Sequence, residues 1–143
     1  MDQHIELIAR AVVIDGDSVL LCKPKEADYY YFSGGHVEFD EDSVTALKRE
    51  LKEETDADVA SIQFIGVWEN SFLQKHEVNP VFEATLASAS IKNMEDHIET
   101  AWVSLEEFKN ARVLPVGLQE KVLQWMENRE VFFGREKNDA KLV

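Results

Sequence analysis

Residues 34–57 read GGHVEFDEDSVTALKRELKEETDA, a glycine pair leading into an acidic turn and then into a carboxylate-rich stretch. Five residues separate Gly35 from Glu41, and seven more separate Glu41 from Arg49 and Glu50. Asp42 is placed to cap a helix, since its carboxylate can accept from the orphan amides of the first turn. Val44, Leu47 and Leu51 recur at helical spacing and form the stripe that must be buried. At 100° per residue, Glu53 sits about 60° from Glu50 on one side and Glu54 about 40° on the other. The three carboxylates therefore share one arc of roughly 100°. Glycine lets backbone approach a ligand closely, and clustered carboxylates suit hard divalent cations, so the stretch points to diphosphate chemistry.

A Glu-rich helix alone is ordinarily a solvated face. Here the glycine and Glu41 offsets are matched as well. Seven fixed identities at fixed spacing arise by chance on the order of once in a hundred million start positions. An EF-hand beginning at Asp40 fails, because Val44 has no ligand oxygen and Thr45 stands where that loop needs glycine.

Composition narrows the partners. The net charge of −13 argues against a nucleic-acid polymer, whose backbone is gripped mainly by Lys and Arg. It leaves room for a small phosphorylated ligand that brings cations with it. The first residues lack the basic start and apolar core of a signal peptide, and no run reaches membrane-spanning length. A cytoplasmic location with no membrane partner is the expectation. The single cysteine, Cys22, lies in an apolar run and is expected in the core.

Along the chain, residues 5–15 and 18–22 read as strands joined by a turn at Asp15-Gly16. A short aromatic strand at 29–32 delivers the chain to the glycine pair. After the central helix, residues 59–68 and 80–86 read as strands, with 69–79 as a hairpin loop or strand ends. Residues 88–97 are polar loop, and 100–103 form a short strand. Ser104 caps a small helix through Phe108, and 115–128 carry a helical apolar stripe. Residues 134–143 are charged and expected to be flexible. With no repeat and no linker, residues 1–143 are expected to form one domain of α/β (α+β) class, a mixed sheet flanked by helices.

The stretch from Gly35 to Ala57 resembles the Nudix box, the signature of hydrolases that act on a nucleoside diphosphate linked to another group. The resemblance implies an α/β/α sandwich with a mixed β-sheet, and Mg²⁺ or Mn²⁺ as cofactor. Carried over residue by residue, it implies Glu53 and Glu54 as principal metal ligands and Glu50 as a further ligand or the base that deprotonates water. Gly35 would offer its carbonyl to a metal, and Glu38 would be an additional ligand. Arg49 would pair with Glu41 and support the carboxylates. In some members the base lies on a later loop, which makes Glu95, Asp96 and Glu99 candidates here. Many members are dimers, so a homodimer is open.

Three positions depart from the family pattern. Asp40 and Asp56 replace glycines, which calls for left-handed backbone that Asp tolerates better than most residues. Ser33 replaces the proline usual before the glycine pair. None removes an implied ligand, yet together they leave open a binding-only module without catalysis. Of the aromatics near the box (Tyr29, Tyr31, Phe32, Trp68, Phe72 and Phe82), Tyr31, Trp68 and Phe72 are the candidates to stack on a base. Trp125 is expected in the core, and His36 and His76 in a surface or hydrogen-bonded role. Markers of ADP-ribose or dinucleoside polyphosphate specificity are not evident, which leans toward a nucleoside triphosphate or modified nucleotide as the small-molecule substrate.

Overall fold

Ala9, Ala11 and Val13 pack on one side of the first strand and Val12 on the other, and that alternation builds two cores on one sheet. The computed structural model describes residues 3–138. Its elements are β1 (His4–Asp15), β2 (Ser18–Pro24), β3 (Tyr31–His36), α1 (Ser43–Thr55), β4 (Val59–Phe72) and β5 (Lys75–Leu86). They are followed by β6 (Ile98–Ser104), α2 (Leu105–Asn110), α3 (Val116–Asn128) and β7 (Phe132–Asn138). The strands form one mixed sheet in the order β6-β2-β3-β1-β5-β4-β7. The pairs β1–β5 and β4–β7 are parallel, and the other pairs are antiparallel.

Leu47 and Leu51 of α1 pack with Ala9, Ala11, Val13, Leu20, Phe82 and Ala84. On the other face, Phe108 of α2 and Leu118, Val122 and Trp125 of α3 cover Val12, Val19, Leu21 and Val81. A sheet buried on both faces needs apolar residues at successive positions, which is why β1 and β2 read as near-continuous apolar runs. The architecture is the expected α/β/α sandwich. Cys22 and Trp125 are buried, as their surroundings in the sequence imply. Among the described residues no helix is long and apolar enough to cross a membrane.

Two stretches differ from the sequence expectation, and residues 69–79 take the strand-end alternative. The third strand begins at Tyr31 and runs through the glycine pair, with Gly34 opposite Arg10 and Gly35 opposite Ala9. A Cβ on Gly34, which has φ +145°, would sit 2.0 Å from the Ala9 carbonyl oxygen. The glycine pair thus serves a close strand approach as well as a loop. Residues 69–79 are almost entirely strand, because β4 and β5 stay paired out to Phe72 and Lys75. The expected flexible tail is corrected for residues 134–138, which belong to β7; residues 139–143 lie outside the described part.

The final strand is held by packing and by charge. Gly134 lies against the ring of Trp68, so close that a Cβ there would come within 2.5 Å of it. Pro115, at the N-cap of α3, makes no side-chain capping bond, and the carboxylate of Glu136 accepts from the Gly117 amide at 2.9 Å instead. An anion at a helix N-terminus satisfies an orphan donor and opposes the helix dipole. Glu136→Ala is expected to lower stability by about 1 kcal/mol, read from urea unfolding. Hydrogen exchange should show β7 opening first; unchanged stability would show that the carboxylate contributes nothing there.

Candidate active site

The helix carrying the carboxylates is framed as its sequence implies. Asp42 accepts from the Thr45 amide at 2.8 Å and from the Thr45 hydroxyl at 2.9 Å. At the other end Asp56 is left-handed, with φ 60°, and its amide bonds to the Lys52 carbonyl. Asp40 is also left-handed, with φ 66°. Both aspartates standing in place of glycine therefore adopt the backbone a glycine would have supplied. The acidic turn and the helix end keep their shape without it.

Arg49 joins the turn to the helix. Its Nε and Nη2 donate to the two carboxylate oxygens of Glu41 at 2.9 and 3.0 Å, a bidentate pair. Nη2 also donates to the His36 carbonyl at 3.1 Å, while Nη1 reaches Glu50 at 3.0 Å and Glu53 at 3.2 Å. Glu41 further accepts from the Glu38 amide at 3.0 Å, which closes the turn. These bonds hold the Glu41 carboxyl below the usual carboxylate range, the Arg49 guanidinium contributing most.

Glu50 lies against Gly35: a Cβ there would come within 2.4–2.6 Å of the carboxyl group. Only glycine leaves that space for the carboxylate. Glu54 is 5% exposed and accepts a short hydrogen bond from the hydroxyl of Ser33, itself fully buried. A proline at position 33 could not make that bond. Burial pushes the Glu54 carboxyl up to about 7, with the Ser33 bond opposing the shift and the Glu50 charge adding to it. Burial raises Glu50 too, and Arg49 opposes it.

Glu38, Glu50, Glu54 and Glu95 line one cleft of about 390 Å³, together with Arg10, Tyr31 and the glycine pair. Glu95 reaches it because the β5–β6 loop is tied to the end of α1. The Lys92 amide donates to the Thr55 carbonyl at 3.0 Å and the Met94 amide to the Glu54 carbonyl at 3.1 Å. Asp96 is not among the lining residues, and Glu99 is paired with Lys23 in the sheet. Glu53 is not among the lining residues either; it is half exposed and bonds to Arg49.

The aromatic candidates separate. Tyr31 lines the cleft, its ring 5.8 Å from the Arg10 guanidinium carbon. Trp68 is corrected: it is buried in the core beneath α3 and β7, with Gly117 and Gly134 against its ring. Its parity on β4 turns it to that face. Phe72 is corrected as well, since it closes the distal end of β4 opposite Lys75 and Asn138. Phe32 is core, and Tyr29 lies under Arg112. His36 and His76 pair with Glu6 at 3.2 Å and Glu69 at 2.9 Å, and His36 also lines the carboxylate cleft. Sequence reasoning missed Arg10 and the role of Ser33. The signal for Arg10 was a lone charge inside an otherwise apolar strand.

The donor set is all carboxylate and backbone oxygen, the chemistry hard divalent cations take. Among the described residues no three acidic or imidazole side chains converge tightly enough to hold an ion as they stand. The reason is visible: Glu50 and Glu53 rest on Arg49, and Glu54 rests on Ser33. The residues fit a cation in kind and neighbourhood, with Glu50 folded into the space Gly35 leaves.

Comparison with known proteins bears on the family and the fold. The family model described as NUDIX domain matches residues 5–126. No match is found among the curated proteins. The MutT protein from Bacillus halodurans is 19% identical, with 94% of this chain and 90% of that one covered at a TM-score of 0.81. The MutT protein from Methanosarcina mazei Go1 is 23% identical, with 90% and 98% covered at 0.77. A UDP-X diphosphatase is 13% identical, with 94% and 68% covered at 0.75. At these identities the likeness to the solved structures speaks for the fold.

The raised carboxyl of Glu54 makes a pH prediction. Its folded value of about 7 lies above the ordinary value of 4.5, so folding favours the protonated form. That contribution is full below about pH 4.5 and is lost as pH rises through 7. In chelator, the protein should lose at most about 3 kcal/mol between pH 5 and 8. Thermal melts read this, and Glu54→Gln should flatten the dependence. A wild-type melting temperature that climbs across this range would contradict it.

Proposed function

The chain belongs to the NUDIX family of hydrolases, and from that membership we propose that it is a divalent-cation-dependent diphosphohydrolase acting on a nucleoside triphosphate or a modified nucleotide. The observation that carries the reading is the meeting of Glu38, Glu50, Glu54 and Glu95 in one cleft beside the glycine pair. Four carboxylates facing a single cleft repel one another, and a bound Mg²⁺ or Mn²⁺ relieves that cost. Glu53 and Glu54 are proposed as the principal ligands, with Glu50, Glu38 and the Gly35 carbonyl completing the protein's share. Such a cation supplies Lewis-acid neutralisation of the diphosphate charge.

The protein's own groups do the rest. Arg49 keeps Glu50 and Glu53 oriented through its fork on Glu41, so that the carboxylates are held before substrate arrives. Glu95 is proposed as the general base. It lines the cleft on a loop anchored to α1, where it can take a proton from the attacking water as the phosphorus–oxygen bond to the leaving phosphate breaks. Tyr31, the one proposed stacking residue at the cleft, is available to a base or ribose.

A panel of nucleoside triphosphates, oxidised nucleotides, nucleotide sugars, ADP-ribose and dinucleoside polyphosphates, assayed for phosphate release in Mg²⁺ and Mn²⁺, tests the proposal. Glu53→Gln and Glu54→Gln are each expected to cut turnover by about a hundredfold or more with the fold intact. Glu95→Gln should cost about a hundredfold or more in turnover with the fold intact. Wild-type rates in both box variants would sink the enzyme reading. Binding of nucleotide and Mn²⁺ without release from any substrate would favour a binding-only module.

A further inference from the structure

Arg10 is the one Lys or Arg among the residues lining the acidic cleft, and no reading of the carboxylates uses it. It stands on β1, inside an apolar strand, where an arginine must find partners for its donors. Nη1 donates to the Phe32 carbonyl at 3.0 Å, and Nε makes a long contact of 3.5 Å with Asn79 Oδ1. Its guanidinium carbon lies 5.8 Å from the Tyr31 ring centroid. Among the described residues Arg10 forms no ion pair, although Glu38, Glu50, Glu54 and Glu95 line the same cleft. Nη2 has no hydrogen-bond acceptor among these residues.

The support behind Arg10 is itself buried. Asn79 is 1% exposed and donates to the Trp68 carbonyl at 3.0 Å and to Asn70 Oδ1 at 3.3 Å. Asn70, also buried, donates to Glu77 at 3.2 Å. A fixed cation with an open donor, braced by a buried amide pair and flanked by a ring, is costly to keep for packing alone. Its planar fork matches phosphate oxygens.

We propose that Arg10 is the anion-binding subsite of the cleft, where its guanidinium donates to non-bridging oxygens of the substrate's diphosphate. The proposal rests on the diphosphohydrolase reading for its substrate class. The α1 wall of the cleft presents carboxylates to cations, and the β1 wall presents Arg10 to the phosphate oxygens. Asn79 acts through Arg10 as a positioning residue.

The test uses the full chain, with inorganic pyrophosphate as the probe. Calorimetry gives its affinity in saturating Mn²⁺, and electron paramagnetic resonance gives Mn²⁺ affinity without it. Arg10→Gln should weaken pyrophosphate binding by about ten- to a hundredfold and leave Mn²⁺ affinity unchanged or tighter. Arg10→Lys should fall between wild type and Arg10→Gln, because it keeps the charge and loses the fork. If a hydrolysed nucleotide emerges from the panel, its KM should rise in step while kcat changes less. Should Arg10→Gln fail to fold, Arg10→Lys carries the same comparison. Unchanged pyrophosphate affinity in a folded variant would overturn the proposal and leave Arg10 as a brace for β3. A matching fall in Mn²⁺ affinity would also overturn it, since Arg10 would then act through the carboxylates. A wild type that binds Mn²⁺ and pyrophosphate but hydrolyses nothing defeats the enzyme reading alone, and one that binds neither defeats both.

Discussion

A single guanidinium holds the acidic turn against the acidic helix. Without Arg49, the carboxylates of Glu41, Glu50 and Glu53 would meet with no counter-charge, and like charges at that range disfavour ionisation and packing alike. Its bidentate grip on Glu41 fixes the turn, while its remaining nitrogen holds Glu50 and Glu53 on the helix. The bond to the His36 carbonyl links both to the end of β3. Because the guanidinium stays protonated throughout the accessible pH range, the clamp holds for as long as its carboxylates are ionised.

What surrounds the clamp is a division between exposed and buried charge. Glu53 is half exposed and keeps ordinary solvation, whereas Glu54 is 5% exposed and depends on Ser33. The serine in place of proline is therefore chemically consequential, because it supplies a donor to a carboxylate that burial would otherwise leave poorly paired. Asp40 and Asp56 are different in kind. They occupy left-handed backbone at φ 66° and 60°, so their effect is on the shape of the turn and of the helix end. Asp56 also gains from Lys52 and Lys92 at 3.5 and 3.6 Å, which a glycine would forgo.

Much of the fold could be read in advance where the signal was local. The cap at Asp42, the stripe of Leu47 and Leu51, and the cap at Ser104 all express interactions within a turn or two of chain. The reading failed where a strand's neighbours decide the outcome. Residues 134–138 look like a charged tail, yet Gly134 against Trp68 and Glu136 on α3 make them an edge strand. Trp68 looked available to a nucleotide, but its parity on β4 turns it into the core.

The sequence by itself determined the chemistry of the α1 wall. Spacing along one helix puts Glu50, Glu53 and Glu54 in one arc, and helical geometry needs no distant residue to do so. Only the tertiary structure decided what faces that wall. Ser33 reaches Glu54 across 21 residues, and Arg10 reaches Phe32 across 22 and Asn79 across 69. Glu95 enters the cleft only because its loop bonds to the end of α1. Those contacts depend on the pairing of β1 with β3 and β5 and on the docking of a loop. Side-chain types along a chain do not specify such long-range pairings one by one. They emerge when two cores close on opposite faces of one sheet.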